Sequence, residues 1–289
     1  MAAHAFILQV VNGTYSLQKE WMLKTGMPWH EAERQLEAQD MYDRMFKMKF
    51  LPPGRGLWAM GTTLTKDRRL FAALNNCAFV STDNLGDNPS GPFCFLMDAC
   101  MLGVGVGFDT LGAGIPVRAL QPPLAGTLPQ VVSDSREGWV NSLKVILDAY
   151  LDQNSSVVNV PVFDYSAIRP AGEPIKGFGG TSQGPDILMS MHRSIIEVLN
   201  KSAGKELSVT GIVDIMNLIG KCVVSGNVRR TAEIAFGDPE SAEYIGLKDY
   251  TVNPHRQAYG WTSNNSVFAK LGMDYSDVCS KIAINGEVW

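Results

Sequence analysis

The sequence of 289 residues contains few of the residues that build metal sites or disulfide frameworks. It has four histidines and five cysteines, all widely spaced, and no CxxC pair. Structural zinc sites and the disulfide frameworks of secreted proteins need such residues at short, regular spacing. The sequence therefore predicts neither a structural metal site nor a disulfide framework.

Long hydrophobic runs and basic stripes are also lacking. No apolar run reaches the roughly 18 residues of a membrane-spanning helix, and MAAHAFILQVVNG lacks the basic start and cleavage site of a signal peptide. The 25 lysines and arginines are scattered and the net charge is −4, so no surface for nucleic acid is predicted. We expect a cytoplasmic protein that binds neither a membrane nor nucleic acid.

What the chain does have is enough apolar content, 45% of its residues, for a sizeable core. Apolar residues recur at helical spacing in some segments, and β-branched or aromatic residues mark others as strands. The helical segments are 27–50, 133–152, 184–200 and 210–224, and the strand segments are 75–82, 231–237 and 259–269. PFCFLMDACML, at 92–102, fits either a short buried helix or a strand. Helices thus alternate with strands, which favours an α/β architecture.

The residue patterns also predict local details of these elements. Pro28 is suited to the first turn of the first helix, whose predicted apolar face is Trp29, Leu36, Met45 and Phe46. Asp134 and Glu137 have the spacing of a capping box. In the helix from 184 to 200, the predicted inward residues are Ile187, Met191, Ile195 and Val198. In TAEIAFG, Ala232, Ile234 and Phe236 alternate with Thr231, Glu233 and Ala235.

Three glycine-containing segments are candidates for ligand binding. GVGVGF, at 103–108, has the wrong glycine spacing for a dinucleotide fingerprint. Gly103, Gly105 and Gly107 would share one face of a strand, where either a ligand or a packed neighbour can come close. KGFGGTSQGPD precedes a helix and is either a phosphate site or a surface loop.

The segment CVVSGNVRRTAEI, at 222–234, places two arginines directly after a glycine turn. Guanidinium groups in that position suit a triphosphate or a carboxylate. The alternative is a pair of solvated arginines, or an ion pair with Glu233. Both interpretations remain open at the level of the residues alone.

The cysteines divide into two groups. Cys94, Cys100 and Cys222 lie in apolar surroundings and Cys279 lies in a predicted last helix, so these four are interpreted as small hydrophobic residues. Cys77 follows two asparagines at the start of a predicted strand, where a thiol can face a cavity. Composition alone favours a core position for it, and the local sequence leaves a working thiol open.

Six segments, taken in order, resemble the adenosylcobalamin-dependent ribonucleoside-triphosphate reductases, the monomeric class II ribonucleotide reductases. The resemblance extends from about residue 50 to residue 286, and six motifs in order make it far more specific than any single signature. The segments are LPPGRGLWAMGT, LNNCAFVSTDN, DSREGWVNSLKVILDAY, FDYSAIRPAGEPIKGFGGTSQGP, IVDIMNLIGKCVVSGNVRRTAEIAFGD and NPHRQAYGWTSNNSVFAKLGMDYS.

The resemblance implies a fold and a chemistry. The implied fold is α/β, the N-terminal half of a ten-stranded α/β barrel with an inserted helical subdomain that binds an effector. In that family a thiyl radical removes the 3′ hydrogen of the ribose, and a cysteine pair then reduces the 2′ position. The implied cofactor is adenosylcobalamin, with its main contacts in the other half. The other implied partners are a ribonucleoside triphosphate substrate, a deoxynucleoside triphosphate effector and thioredoxin or a similar dithiol, in an enzyme that is monomeric when complete.

The resemblance also assigns residues. It makes Cys77 the N-terminal member of the reducing pair, places Asn76 beside the substrate, makes Gly103 part of a strand near the nucleotide, and lets Thr62 help to hold substrate. The implied specificity loop contains Gly226, Asn227, Arg229 and Arg230. The implied effector subdomain includes the helix at 135–151 and the glycine loop at 177–184. The predicted segments are an N-terminal helical region at 1–50, the first part of the half barrel at 51–119, an insertion at 120–210 and the remainder of the half barrel at 211–289.

The sequence also departs from the family. Residues 1–28 match it poorly, and the radical cysteine, the second reducing cysteine and the tail cysteines of the family are missing. We therefore expect a fragment or a piece of a split enzyme that does not reduce nucleotides alone. The alternative is a truncated module that binds nucleotides without chemistry. A diphosphate-specific class II enzyme fits the motifs less well.

Overall fold

The computed structural model describes residues 2–175, 181–225 and 231–285. They fall into two compact units, residues 1–76 and residues 77–289. The four segments predicted from the sequence remain predictions. None of the helices in the described ranges has both the length and the apolar character needed to cross a membrane.

The first unit is helical and is built on a hairpin of two helices. Its core consists of Ile7, Val10 and Val11 from the first helix and Met45 from the second, because these side chains repeat at helical spacing on the facing sides. A short 3₁₀ helix, Phe71–Leu74, ends the unit. The α-helices are α1 Ala2–Lys24, α2 Glu31–Phe46, α3 Gly54–Ala59 and α4 Thr63–Lys66.

The helix predicted from Pro28 begins only at Glu31, with His30 as its N-cap residue. Its predicted apolar face was wrong at two positions, since Leu36 and Phe46 are exposed. The helix buries Met45, as predicted, and packs Ala38, Met41 and Tyr42 against the core formed with α1. The sequence interpretation did not include α1, so it had no partner from which to orient α2.

The second unit alternates strands and helices, as predicted. The strands are β1 Cys77–Val80, β2 Gly105–Asp109, β3 Gln130–Val131, β4 Phe163–Asp164, β5 Glu233–Gly237 and β6 Ser263–Val267. The helices are α5 Gly91–Met101, α6 Arg136–Leu151, α7 Asp186–Lys201, α8 Val209–Ser225, α9 Ala242–Ile245 and α10 Ser276–Asn285. Two short 3₁₀ helices, Pro254–Ala258 and Gly260–Thr262, lead into β6.

Four of the strands form a parallel sheet in the order β1-β2-β5-β6, and β3 and β4 form a separate parallel pair. Parallel neighbours need a crossover connection. Helix α5 supplies it between β1 and β2, and α6, α7 and α8 all lie between β2 and β5. Val106, Phe108 and Ala235 are fully buried on one face of the sheet, where the apolar sides of α5 and α8 form the core with them.

Several predicted details were settled or corrected. PFCFLMDACML lies in a helix, α5. The cap of α6 is Ser135, whose Oγ accepts a hydrogen bond from the Gly138 amide at 3.0 Å, and the neighbouring Asp134 instead pairs with Arg169 at 2.7 Å. The predicted cap was therefore one residue too early. The buried side of α7 includes Met191 and Ile195 as predicted, but Ile187 and Val198 are only half-buried, and Leu188, His192 and Leu199 complete the buried side.

The two faces of β5 are also reversed relative to a simple apolar-inward pattern. Glu233 and Ala235 are buried, whereas Ile234 and Phe236 are half-buried on the other face. The reason is that α8 covers the face of Glu233. Gly220 of α8 lies directly against the carboxyl group, since a Cβ on this glycine would be 2.1 Å from Glu233 Oε1. The alternation identified the strand correctly but not the side on which the helices pack.

Candidate active site around Cys77

Cys77 is the first residue of β1, directly after the exposed residues Asn75 and Asn76. Its thiol is free and exposed. In the sheet it is paired with Gly105, the first residue of β2. The predicted position at the start of a strand is thus confirmed, and composition alone would have misplaced this cysteine in the core.

Side chains that share a face with Cys77 lie on the side of the sheet opposite to α8. Residues two apart in a strand point to the same face, so Phe79 lies on that face with Cys77. The register adds Gly105 and Gly107 from β2, and then Ile234, Phe236, Asn264 and Ser266 from the next two strands. We call this side of the sheet the open face, because Cys77, Phe79 and Asn264 on it are exposed.

Gly107 is needed on the open face because the ring of Phe79 lies over it. A Cβ at Gly107 would be 2.7 Å from Phe79 Cδ2 and 3.2 Å from Ile234 Cγ2. The sequence predicted that either a ligand or a packed neighbour comes close to these glycines. At Gly107 it is a packed neighbour, the Phe79 side chain. The absence of a side chain at Gly105 leaves space beside Cys77 on the same face.

Three phenylalanines cross the open face from β1 to the residue after β6. The Phe79 and Phe236 rings are 5.9 Å apart, edge to face, and the Phe236 and Phe268 rings are 5.7 Å apart. Phe79 is 52% exposed and Phe268 is 40% exposed. Because such aromatic pairs stabilise each other beyond their buried area, the row forms an apolar floor on the same face as the Cys77 thiol.

Gly103 is not part of this strand, which corrects the prediction of its local structure. It lies in the turn between α5 and β2, where its amide donates to the Cys100 carbonyl at 2.8 Å. Its φ of 77° is in the left-handed region that favours glycine. The conformation of the turn is thus one reason for a glycine at this position, and its predicted role beside the nucleotide stays a prediction.

Thr62 belongs to the first unit, where its side chain is the N-cap of α4. Its Oγ1 accepts from the Leu64 amide at 3.3 Å and donates to the Ala59 carbonyl at 2.7 Å. These local bonds give the hydroxyl a structural function at this position, and its predicted contact with substrate stays a prediction.

Part of the predicted site lies outside the described residues. This holds for the four residues of the specificity loop, Gly226, Asn227, Arg229 and Arg230, and for residues 177–180 of the glycine loop. The residues that follow the specificity loop are described. The Thr231 hydroxyl donates to the Val104 carbonyl at 2.8 Å, and the Val106 amide donates to the Ala232 carbonyl at 2.9 Å. The two residues directly after the loop are therefore joined to the sheet beside β2, the strand that pairs with β1.

The remaining cysteines differ from Cys77 in their surroundings. Burial raises the pKa of the Cys94, Cys100 and Cys222 thiols to about 12. These three are small hydrophobic residues, as predicted. The same interpretation of Cys279 was wrong, because its side chain on α10 is exposed.

Two polar features of the sheet were not among the predicted site residues. Asn264 is exposed on the open face, and the polar strand SNNSV that carries it was the available signal. Glu233 is buried on the opposite face, where its Oε2 accepts from Asn217 Nδ2 at 3.2 Å. The carboxyl was expected only as a partner for an arginine, and nothing in its local sequence indicated burial.

Comparisons with known proteins agree with this architecture. Residues 5–62 match the family described as "Ribonucleotide reductase alpha domain", and residues 125–199 match "B12-dependent ribonucleotide reductase, insertion domain". The first match begins at residue 5, so the expectation that residues 1–28 depart from the family was wrong. A solved structure described as a B-12 dependent (class II) ribonucleotide reductase superposes with a TM-score of 0.81 at 29% identity, covering 96% of this chain and 44% of its own.

Curated relatives match along most of the chain. A probable adenosylcobalamin-dependent ribonucleoside-triphosphate reductase of Dictyostelium discoideum is 56% identical over 96% of this chain and 38% of its own length. Relatives described as adenosylcobalamin-dependent ribonucleoside-triphosphate reductases, from Euglena gracilis and Lactobacillus leichmannii, are 51% and 34% identical over 97% and 87% of the chain, which correspond to 38% and 40% of their own lengths. The chain therefore belongs to the family of the adenosylcobalamin-dependent ribonucleoside-triphosphate reductases, and it spans about two fifths of the length of these curated relatives.

Proposed function

We propose that this chain supplies the reducing-thiol part of a ribonucleoside-triphosphate reductase, with Cys77 as one member of the cysteine pair that reduces the substrate. The observation that carries the proposal is the placement of Cys77. Its free thiol is exposed at the start of a parallel strand and is paired with a glycine on the open face. A fixed strand holds a reductant in one position, which an effective reaction with a bound sugar requires.

The chemistry asked of Cys77 is a two-electron reduction. The C2′–O bond of the ribose breaks and the hydroxyl leaves as water. A C2′–H bond forms, and the two thiols together supply two electrons and two protons and end as a disulfide. An external dithiol, thioredoxin or a similar protein, then restores the two thiols by exchange. In this scheme Asn76, directly before Cys77, lies beside the substrate.

The second half of the proposed site is regulatory. Gly226, Asn227, Arg229 and Arg230 would respond to a bound deoxynucleoside triphosphate effector, since guanidinium groups suit a triphosphate. Support comes from the described residues that follow them, because Thr231 and Ala232 are hydrogen-bonded to the entry of β2. We place the working enzyme, as a monomer, in the cytoplasm, where dithiols are kept reduced.

The family's cofactor is adenosylcobalamin, as the descriptions of the relatives and of the insertion domain state. Within the described ranges, no three histidine, cysteine, aspartate or glutamate side chains come together as a metal site. No step assigned to Cys77 here passes through the cofactor.

A second candidate function is nucleotide binding without turnover. It is favoured by one observation: all five cysteines are free, and Cys94, Cys100 and Cys222 are held in apolar surroundings. The second cysteine of the reducing pair would then have to come from a segment that corresponds to the rest of the relatives. Without such a segment, binding of a ribonucleoside or deoxynucleoside triphosphate would be the only activity left.

Complementation distinguishes the two functions. The purified chain is assayed with CTP, adenosylcobalamin and a dithiol, first alone and then with the part of the Dictyostelium discoideum relative that lies beyond the match. The reductase proposal expects dCTP only in the second assay, and none when Cys77→Ser replaces the wild type. The Cys279→Ser variant is the matched control and should keep the activity. Equal dCTP formation by wild type and Cys77→Ser would contradict the role of Cys77, and binding of CTP without dCTP in any mixture would favour the second function.

A further inference from the structure

Behind the sheet, on the face opposite to Cys77, lies a buried carboxyl group with an unusual partner. Glu233, the first residue of β5, is 3% exposed, and Asn217 of α8 is fully buried. Asn217 Nδ2 donates to Glu233 Oε2 at 3.2 Å and to Ser263 Oγ at 2.9 Å. The carboxyl group thus faces a neutral amide, and an isolated carboxylate in such a place carries a large desolvation cost.

The same two side chains also contain two oxygen atoms that lack a hydrogen-bond donor. Glu233 Oε1 and Asn217 Oδ1 are both buried and have no hydrogen-bond partner. Both are acceptors if the glutamate is ionised. A buried acceptor without a donor costs about 1–3 kcal/mol. One proton on the carboxyl group converts Oε1 into a donor, and it could then satisfy the amide oxygen of the side chain that already donates to Oε2.

We propose that Glu233 is a neutral carboxylic acid that forms a two-point hydrogen-bonded pair with the side-chain amide of Asn217, and that this acid–amide pair positions the start of β5 against α8. Burial supports the neutral form, since it raises the pKa of the Glu233 carboxyl well above the usual range against the opposing effect of the Asn217 hydrogen bond.

The surroundings of the pair come from three packed elements. On α8, Gly220 leaves the space for the carboxyl group, because a Cβ there would lie 2.1 Å from Oε1. On α5, the Cys100 thiol lies near the Glu233 carboxyl group. On β6, Ser263 and Asn265 continue the polar cluster at 3.1 Å, and the Lys248 ammonium donates to the Ser263 carbonyl at 2.5 Å.

The position of the pair in the chain gives it a role that rests on the proposed function. Glu233 lies three residues after Arg230, so the pair fixes the strand directly after the predicted specificity loop. Its backbone is paired with Val106 of β2 on one side and with Ser263 of β6 on the other. Since β2 is also the partner of β1, the pair acts on the strand next to Cys77 without touching substrate, which makes Glu233 a positioning residue.

The first test compares the wild type with the isosteric variant Glu233→Gln in thermal unfolding from pH 4.5 to pH 8. A glutamate with a raised folded-state pKa loses folding stability as the pH rises from its unfolded pKa toward its folded pKa. Glutamine keeps both hydrogen bonds of the pair and cannot ionise. We therefore expect the Tm of Glu233→Gln to exceed that of the wild type by a margin that widens as the pH rises. Glu240→Gln, at an exposed position, is the matched control and should run parallel to the wild type.

Parallel curves for Glu233→Gln and wild type, or a wild type that gains on the variant as the pH rises, would overturn the neutral acid. A direct readout is the infrared carbonyl band of protonated carboxyl groups in protein labelled with ¹³C-glutamate. At pH 7 this band should be present in the wild type and absent from Glu233→Gln. Its absence from both proteins would also overturn the proposal.

The positioning role has its own readout, the rate at which Cys77 reacts with iodoacetamide relative to Cys279. Replacement of Asn217 by leucine, of similar size, removes the pair, and we expect the ratio of the two rates to change at least threefold, whereas Glu233→Gln should leave it unchanged. An unchanged ratio in folded Asn217→Leu would show that the pair serves stability alone. Should that variant not fold, Asn217→Gln takes its place under the same criterion. No nucleotide is used, so a failure of this inference is distinct from a failure of the reductase proposal.

Discussion

Cys77 and Gly105 are directly paired at the first positions of the neighbouring parallel strands β1 and β2. The pairing puts the only side chain of the two on the open face and leaves the space beside it free of a Cβ. A bulky residue in place of Gly105 would occupy that space on the same face. The relationship thus gives a physical reason for a glycine next to the thiol that we propose reacts with the substrate.

The first prediction concerns the reactivity of the five cysteines in the native chain. Iodoacetamide at pH 8 should modify Cys77 and Cys279, which are exposed, and should leave Cys94, Cys100 and Cys222 unmodified. The reason is that a thiol with a pKa of about 12 has a thiolate fraction of only about one in ten thousand at pH 8. Peptide mass spectrometry after a short reaction gives the extent of modification at each site.

The control for this measurement is the unfolded chain. In denaturant all five thiols should react at similar rates, because the desolvation that raises three of the pKa values is lost. Protection of Cys77 in the native chain, to the level of Cys100, would show that its thiol is not accessible and would remove the main support for its proposed role.

Much of the fold was predictable because the helices and strands of the second unit carry strong apolar periodicity. Trp139, Leu143, Ile146, Leu147 and Tyr150 have the spacing of one apolar helix face, and on α6 all of them except the half-buried Trp139 are buried. The start of β1 at Cys77 was predicted too. Local residue patterns are sufficient for such elements because each side chain is placed by its own element alone.

The errors occur where a distant element decides the outcome. The burial of Glu233 depends on α8 and its Gly220, and the exposure of Leu36 depends on the path of α1, and neither can be found in the local pattern. Gly103 looked like part of a strand because its spacing matches Gly105 and Gly107, although a helix end requires its left-handed backbone. The candidate site was predicted at Cys77 from the resemblance, while the open face and its aromatic row required the register of the sheet.

The second prediction tests the close packing on the open face. Gly107→Ala should lower the free energy of unfolding by about 1 kcal/mol, since the new Cβ collides with the Phe79 ring and with Ile234 Cγ2. The cost is at the lower end for an overpacked position because Phe79 is half-exposed and its ring can move outward. Urea denaturation of both proteins at the same pH measures the difference.

A double-mutant cycle identifies the source of that cost. Phe79→Ala removes the ring, so Gly107→Ala should lower the free energy of unfolding markedly less in the Phe79→Ala background than in the wild type. The effects of the two substitutions are then not additive. Independent, additive effects of the two substitutions would show that the strain comes from elsewhere in the sheet.

The third prediction concerns the effect of low pH on stability through His192, a buried histidine of α7 that contacts α6. Tyr165 Oη lies 2.7 Å from His192 Nδ1, and His192 Nε2 lies 3.1 Å from Ser142 Oγ, which in turn donates to the Trp139 carbonyl. A hydrogen bond donated by the tyrosine to Nδ1 requires the neutral imidazole, with Nε2 donating to Ser142 Oγ. Burial lowers the pKa of His192 from 6.5 to about 4.

The sign of the effect follows from this lowered pKa. The unfolded chain takes up a proton at His192 below about pH 6.5, whereas the folded protein does so only near pH 4, so stability is lost as the pH falls between these values. The loss from this residue amounts to about 3 kcal/mol. In His192→Gln that contribution is absent, so the free energy of unfolding should fall less steeply between pH 7 and pH 4 than in the wild type.

Urea denaturation at a series of pH values measures both slopes, and His255→Gln, at an exposed position, should keep the wild-type slope. Equal slopes for all three proteins would mean that His192 is protonated in the folded protein as readily as in the unfolded chain.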